Sequence, residues 1–223
     1  MSIRQRIEAV LFDVDGVVVE SELLHLVTFN ELLASLRIHI TEKEWKSRFL
    51  GVGSDSIMKT LFEEHGITED YKLWVDKRRA LYREHVASGD LHSVPGFLGF
   101  YHSVVDAQLP IAFVSTGHPQ NIIAALKSQG LEGRHPVVDG IQVTRLKPDP
   151  EAYLLGAQTL GVIPSRCLVF EDSPVGVTAA KAAKMWCVAL TTTNPANDLS
   201  KADFIISNFK GWTITKILKK LNV

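Results

Sequence analysis

The stretch Val10-Leu11-Phe12-Asp13-Val14-Asp15-Gly16-Val17 decides the fold of this chain. Its apolar start predicts a buried strand over residues 7–12. Because side chains alternate along a strand, Asp13 and Asp15 would point the same way from its carboxyl end. Two carboxylates so close repel each other unless a cation or a catalytic role holds them together. Gly16 then allows a tight turn. The stretch predicts a metal-dependent active site if other charged groups converge on it.

Length and composition are those of an ordinary globular protein. The chain has 223 residues, of which 46% are hydrophobic and 22% are charged, which suits one domain or a domain with an insertion. A formal net charge of -1 gives no general attraction to nucleic acid or to an anionic membrane. The apolar runs are far shorter than the ~20 residues of a membrane span, and Arg4, Arg6 and Glu8 do not suit a signal peptide. No nucleic-acid partner and no membrane association are expected.

The two cysteines indicate whether the protein resides in a reducing or an oxidising cellular compartment. Cys167 and Cys187 each lie in an apolar, strand-like segment. A disulfide between them is one interpretation, and buried free thiols in a reducing compartment are the favoured one. The expected location is cytoplasmic.

Short apolar segments alternate with helical segments in most of the chain. Strands are predicted at residues 7–12, 111–114, 137–138 with 140–143, 167–170, 186–190 and 204–206. Helices are predicted at residues 95–107, 119–130, 150–161, 174–184 and 211–221. This alternation is typical of a parallel β-sheet with helices on both faces. The predicted fold class is therefore α/β with a Rossmann-like core, whose active site forms at the carboxyl ends of the strands.

Residues 20–88 break the alternation, because apolar residues recur there only at helical spacing. We predict an inserted α-helical cap domain over residues 18–93, lying over the strand ends. The α/β core domain would then comprise residues 1–17 and 94–223.

Polar groups follow four of the predicted strands. Asp13 and Asp15 follow the first, Ser115-Thr116-Gly117 the second, Lys147-Pro148-Asp149-Pro150 the segment 140–143, and Glu171-Asp172-Ser173-Pro174 the segment 167–170. Each group alone has a plain structural interpretation, such as a turn, a calcium loop, a solvated lysine or a helix N-cap. The carboxyl ends of parallel strands share one edge of a sheet, so the four groups are expected to converge on one site.

The residue types of these groups suit phosphate chemistry. A serine and free N–H groups before a helix make an anion site, and a lysine held between prolines suits a phosphate or a carboxylate pair. One lysine does not balance the carboxylates of the site together with a phosphate, so a divalent cation is required. Those carboxylates are Asp13, Asp15, Glu171 and Asp172.

The same motifs carry a family resemblance. The segments 12–17 with 20–22, Val114-Ser115, 147–150 and 171–173 match, in order, the four motifs of the haloacid dehalogenase-like superfamily. The chain resembles the β-phosphoglucomutase and sugar-phosphatase branch of that superfamily over nearly its whole length, and only loosely in the cap.

The resemblance implies a mechanism with Mg²⁺. Asp13 would attack phosphorus and form an aspartyl-phosphate, and Asp15 would protonate the leaving alcohol and then activate water. Mg²⁺ would be bound by Asp13, the Asp15 backbone carbonyl and Asp172. Glu171 is counted with this metal set, in the role of orienting a metal-bound water.

The remaining implied residues bind the phosphate. Ser115 and the N–H group of Thr116 would hold phosphate oxygens, Gly16 belongs to the same set, and Lys147 would offset negative charge. His25 matches a histidine of the β-phosphoglucomutases and is a candidate substrate contact; a core or solvent-facing histidine is the alternative.

Three functions remain open, and a phosphatase is favoured. Asp15 argues for phosphate esters, since an alkoxide leaving group needs a proton and a halide does not. The segment 51–56 lacks an arginine that would clamp a distal phosphate, and His118 replaces a lysine of the mutases. The expected substrate is a small phosphorylated metabolite, with sugar phosphates first, and the expected state is a monomer, with a dimer open. The alternatives are a β-phosphoglucomutase-type phosphotransferase and an inactive protein-binding relative.

Overall fold

The structure, a computed structural model, describes residues 6–223. The chain forms two compact units: residues 6–20 together with His92–Val223, here the core unit, and Ser21–Leu91, here the helical unit. Arg4, which entered the argument against a signal peptide, lies outside the described residues. Within residues 6–223, no helix has both the length and the apolar character needed to cross a membrane.

The core unit contains a parallel β-sheet, as the sequence predicts. Its strands are β1 (Ala9–Phe12), β2 (Ile111–Val114), β3 (Val137–Val138), β4 (Cys167–Glu171), β5 (Trp186–Leu190) and β6 (Phe204–Ile206). The strand order is β3-β2-β1-β4-β5-β6, with every neighbouring pair parallel. Strands buried on both faces read as continuous apolar runs, which is why the sequence revealed them. The fold class is α/β with a Rossmann-like core.

Helices cover both faces of this sheet. They are α5 (Phe97–Asp106), α6 (Pro119–Ser128), α7 (Glu151–Thr159), α8 (Pro174–Ala182) and α9 (Ile214–Leu221). Leu11 of β1 belongs to a core cluster with buried residues of α7 and α8. The next residue, Phe12, points to the other face, where its ring lies 5.4 Å from that of Phe97 of α5 and 5.2 Å from that of Phe170. The alternation of side chains along β1 thus builds two separate cores.

One predicted strand is wrong. Residues 140–143 form turns rather than a strand, and β3 ends at Val138. The Asp139 carboxylate accepts hydrogen bonds from the N–H group of Ile141 at 3.0 Å and from Gln142 Nε2 at 3.0 Å, which closes a local turn in place of a sheet ladder. Ile141 is 78% exposed. Lys147 therefore follows a loop and not a strand end.

Both cysteines are buried free thiols, as expected. Burial raises the pKa of Cys167 to about 11 and that of Cys187 well above its ordinary value. Both thiols therefore stay protonated and act as small apolar core groups.

The helical unit is built from four α-helices with short connecting turns, among the described residues. They are α1 (Glu22–Leu33), α2 (Glu42–Glu44), which continues into a π-helical turn (Trp45–Phe49), α3 (Ser54–Glu64) and α4 (Tyr71–Ser88). Its apolar core includes Phe29, Trp45, Phe62 and Trp74. The unit therefore has a hydrophobic core of its own.

His85 links α1 to the end of α4 and gives the helical unit a pH dependence. Its Nε2 lies 2.8 Å from Glu31 Oε2, and its Nδ1 lies 2.6 Å from Asp90 Oδ2. Hydrogen bonds to Glu31 and then to Asp90 raise the pKa of His85 above 6.5. The imidazolium therefore stabilises the fold below about pH 6.5, and this contribution is lost as the pH rises through the raised pKa.

We expect His85→Gln to lower the free energy of unfolding by about 0.5–1 kcal/mol at low pH, and by less as the pH increases. Urea unfolding of both proteins between pH 5.5 and 8.5 measures the difference. Glutamine lacks the charge of the imidazolium but can still form hydrogen bonds. A difference in unfolding free energy that stays constant over this pH range would therefore contradict a stabilising role for the charge of His85.

Candidate active site

The candidate site lies at the carboxyl edge of the central strands. Asp13 directly follows β1, Ser115 follows β2, and Glu171 with Asp172 ends β4. Because β2, β1 and β4 are neighbours in that order, their polar ends meet at one place. All four of these residues are buried.

Lys147 reaches the site from its loop and joins two of the strand ends. Its Nζ donates hydrogen bonds to Asp13 Oδ1 at 2.8 Å, to Glu171 Oε1 at 2.7 Å and to the Val114 carbonyl oxygen at 3.2 Å. Its side chain is only 5% exposed. An ammonium group has three N–H donors, so all of them are used within the protein.

Three buried carboxylates form a cluster in the core unit. Oxygen atoms of Asp13, Glu171 and Asp172 lie within 4.8 Å of one another. Carboxylate oxygens are the ligands that hard divalent cations prefer, and Lys147 supplies a single positive charge against the cluster. The donor set and the excess negative charge therefore fit a divalent cation.

Glu171 differs from the other two carboxylates, because both of its oxygens already accept several hydrogen bonds. Oε1 accepts from Lys147 Nζ and from the Tyr153 hydroxyl, at 2.7 and 2.8 Å. Oε2 accepts from the N–H groups of Asp172 and Ser173 and from Ser173 Oγ, at 2.9 to 3.0 Å. Asp13 and Asp172 are therefore the better candidates for direct metal ligands, and Glu171 orients Lys147.

The turn after β1 places Asp172 against the backbone of Gly16. Gly16 has φ +70°, and a Cβ atom there would lie 1.9 Å from Asp172 Oδ2, so only glycine fits. Thr192 Oγ1 donates to the Gly16 carbonyl oxygen at 2.6 Å, and Asn194 Nδ2 donates to the Asp172 carbonyl oxygen at 3.0 Å. These contacts fix the turn relative to the end of β4.

Burial and the Lys147 ion pairs have opposite effects on the pKa values of the site, and burial prevails only at Asp13. Burial raises the pKa of Asp13 to about 7, although Lys147 opposes the shift. Burial also disfavours the charged forms of Glu171 and Lys147, but their mutual contact overcomes it: Lys147 lowers the pKa of Glu171, and Asp13 with Glu171 raises that of Lys147. A bound cation would favour the ionised form of Asp13.

Ser115 does not cap a helix, which was its structural alternative. The first residue of α6 is Pro119, and its N-cap is His118. Ser115 Oγ instead accepts a hydrogen bond from the N–H group of Gly117 at 3.1 Å. Ser173, by contrast, is the N-cap of α8, since its Oγ accepts from the N–H group of Gly176 at 3.0 Å. Thr116 is half-buried beside Ser115.

Asp15 lies in the turn after β1, where it forms an isolated bridge with Val19. It is half-buried. Its side chain is not one of the three clustered carboxylates of the described residues. A metal contact through its backbone carbonyl, as the family resemblance implies, stays a prediction.

His25 belongs to α1 of the helical unit. Its ring stacks on Tyr82 at a centroid distance of 4.8 Å, and its Nδ1 lies 3.2 and 3.3 Å from the two terminal nitrogens of Arg78. A guanidinium group only donates hydrogen bonds, so Nδ1 accepts and the ring proton is on Nε2. Arg78 is buried and lies over the Phe29 ring at 4.9 Å.

Sequence reasoning missed the residues that orient the site. Tyr153, Thr192 and Asn194 each donate one hydrogen bond to it. Within the helical unit, sequence reasoning also missed Arg78, which contacts the candidate residue His25. Tyr153 is an apolar-face position of α7 in the sequence pattern, and Thr192 and Asn194 lie in a polar loop, so no local signal separates them from structural residues.

Comparisons with known proteins find relatives over most of the chain. A model of the haloacid dehalogenase-like hydrolase family matches residues 7–184. The chain is 27% identical to hexitol phosphatase A of Escherichia coli over 222 residues, which cover 95% of each protein. It is 33% identical to the phosphorylated carbohydrates phosphatase of Thermotoga maritima over 177 residues, covering 79% of this chain and 81% of that protein.

Solved structures give the same result for the fold. The crystal structure of CbbY from Rhodobacter sphaeroides in complex with phosphate superposes with a TM-score of 0.85 at 25% identity. The match covers 97% of this chain and 100% of that one. A structure described as a β-phosphoglucomutase of Clostridium difficile has a TM-score of 0.81 at 23% identity, which supports the fold alone.

Proposed function

Because the chain belongs to the haloacid dehalogenase-like hydrolases, we propose that it hydrolyses a small phosphate ester through an aspartyl-phosphate on Asp13. The observation that carries this proposal is the buried contact of Lys147 with Asp13 at 2.8 Å, beside the carboxylate of Asp172. A carboxylate held by a fixed ammonium at a strand end is suited to attack an anionic phosphoryl group.

The reaction has two steps on this chain's residues. A carboxylate oxygen of Asp13 attacks phosphorus, the ester P–O bond breaks, and Asp15 gives its proton to the leaving oxygen. Asp15 then takes a proton from water, whose oxygen attacks the phosphorus of the aspartyl-phosphate and releases Asp13 and inorganic phosphate. Lys147 offsets the negative charge that develops on the transferring group.

Asp13, Asp172 and the backbone carbonyl of Asp15 would hold a Mg²⁺ ion. When bound, it would neutralise part of the negative charge of the carboxylates and of the phosphoryl group. Ser115 Oγ, the N–H group of Thr116 and the turn at Gly16 would hold the phosphate oxygens.

The helical unit would act as the inserted cap predicted over residues 18–93, and would select the substrate. Relatives named as phosphatases of hexitol and carbohydrate phosphates favour a sugar phosphate. His25, whose ring contacts Arg78, is proposed as a substrate contact. The proposed location is cytoplasmic, and the proposed state is a monomer, with a dimer open.

A phosphatase is favoured over a mutase by the ion pairs of Arg48, which precedes the loop at residues 51–53. Arg48 is already paired with Glu44 at 2.6 Å and with Glu64. A mutase must grip the second phosphate of a bisphosphate, for which a free guanidinium fork is suited. Arg48 would have to break two ion pairs to provide it.

We expect release of inorganic phosphate from small sugar phosphates in the presence of Mg²⁺, and none after addition of EDTA. A panel of hexose, hexitol and pentose phosphates, assayed for phosphate, tests this expectation and ranks the substrates. Conversion of glucose 1-phosphate to glucose 6-phosphate with added bisphosphate, without phosphate release, would replace the phosphatase by the mutase. Failure of both reactions would favour a non-catalytic relative.

A further inference from the structure

We propose that Tyr153 is a positioning residue for the reaction: its hydroxyl restrains Glu171 and its ring faces Lys147, so that the Lys147 ammonium stays shared with Asp13. This inference rests on the proposed function, and it adds a residue that neither the motifs nor the comparisons single out.

The contacts of Tyr153 link it to both members of the ion pair. Its hydroxyl donates to Glu171 Oε1 at 2.8 Å, the same oxygen that accepts from Lys147 Nζ at 2.7 Å. Its ring centroid lies 4.8 Å from Lys147 Nζ, within the range of a cation–π contact. Tyr153 is fully buried, so water does not substitute for either contact.

The helix that carries Tyr153 is held close to the sheet. Tyr153 is the third residue of α7, and Gly156, one turn later, packs on β1 and β2. A Cβ atom at Gly156 would lie 2.8 Å from Leu11 Cδ2 and 3.1 Å from Val114 Cγ2, so the close approach requires glycine. The tyrosine hydroxyl is thereby placed by the same strands that carry Asp13 and Ser115.

The hydroxyl and the ammonium share one carboxylate oxygen, and this sharing has a consequence for catalysis. Without the hydroxyl, Glu171 Oε1 would have Lys147 as its remaining donor among the contacts described. The ammonium would then move toward Glu171 and away from Asp13, where the transferring phosphoryl group needs its charge. The loss concerns charge that develops during the reaction, so kcat should fall while KM changes little.

Tyr153→Phe tests the inference, because it removes the hydroxyl and keeps the ring. We expect kcat for the preferred ester to fall about tenfold, equivalent to about 1.4 kcal/mol, with KM changed less than about twofold. Tyr101→Phe is the matched control: it also removes a buried hydroxyl of the core unit, one that contacts His135 Nε2 at 2.7 Å. The control should leave both constants unchanged.

A second readout does not need activity. The ¹⁵N resonance of the Lys147 ammonium, assigned by its disappearance in Lys147→Arg, should shift in Tyr153→Phe and stay in place in Tyr101→Phe. An unmoved resonance with unchanged kcat would overturn the inference, and so would equal losses of kcat in the two tyrosine variants. If the wild-type chain hydrolyses no ester, the proposed function fails, and the resonance alone decides whether Tyr153 positions Lys147.

Discussion

Asp13→Asn is expected to abolish hydrolysis of every ester that the wild-type chain accepts, with kcat lower by at least about 10⁴-fold. Asparagine keeps the shape of the side chain but lacks the nucleophilic oxygen, so the aspartyl-phosphate cannot form. Steady-state phosphate release, followed with the ester preferred by the wild type, measures the loss. Incorporation of ³²P into the protein from a labelled ester should be detected in the wild type and absent in the variant.

The fold should survive this change. Burial raises the pKa of Asp13 to about 7, so a neutral side chain at this position relieves the cost of ionising it and offsets the loss of the Lys147 contact. The melting temperature of the metal-free variant should lie within about 4 °C of the wild type.

Asp203→Asn is the matched control for Asp13→Asn. Asp203 is also paired with a lysine, Lys181, at 2.6 Å, but it directly precedes β6 and lies at the amino edge of the sheet. It should keep wild-type kcat. Activity above about 1% of the wild type in Asp13→Asn, with Asp203→Asn unaffected, would exclude Asp13 as the nucleophile.

The sheet and the acidic residues of the site were predictable from sequence for one physical reason. A strand buried on both faces must be apolar throughout, and the charged residue that ends it lies at the edge of the sheet. Asp13 and Glu171 each end an apolar run in this way, and Asp172 directly follows Glu171. At these two positions, the end of an apolar run therefore predicts which side chain lies at the edge of the sheet.

The parts that were not predictable depend on contacts between distant residues. The strand predicted at residues 140–143 is absent because Asp139 accepts a hydrogen bond from the backbone of its own turn. The spacing of apolar residues does not show that a side chain favours a turn over a strand. Lys147 still reaches the site, but from a loop. Tyr153 and Arg78 act through side chains 18 and 53 residues away in the sequence, a separation over which local patterns give no signal.

Lys147→Met is the second variant with a large expected effect, and it should reduce both activity and stability. Methionine leaves Asp13 and Glu171 buried without their ammonium, and loss of one member of a buried ion pair costs about 3–5 kcal/mol of unfolding free energy. The loss of transition-state charge stabilisation should lower kcat by about 10²- to 10³-fold. Urea unfolding in EDTA gives the first quantity, and phosphate release in Mg²⁺ gives the second.

Lys181→Met is the control, because Lys181 forms an equally short pair with Asp203 but is 33% exposed. Its loss should cost no more than about 1 kcal/mol and leave kcat unchanged.

The double variant Lys147→Met/Glu171→Gln separates the two roles of Lys147. Neutralising Glu171 removes one of the two uncompensated charges, so part of the lost stability should return. The activity should not return, because the charge opposite the phosphoryl group is still missing. If the double variant regains neither stability nor activity, the destabilisation comes from packing of the methionine rather than from charge. If it regains activity, Lys147 serves mainly to neutralise Glu171, and the phosphoryl group is stabilised by other residues.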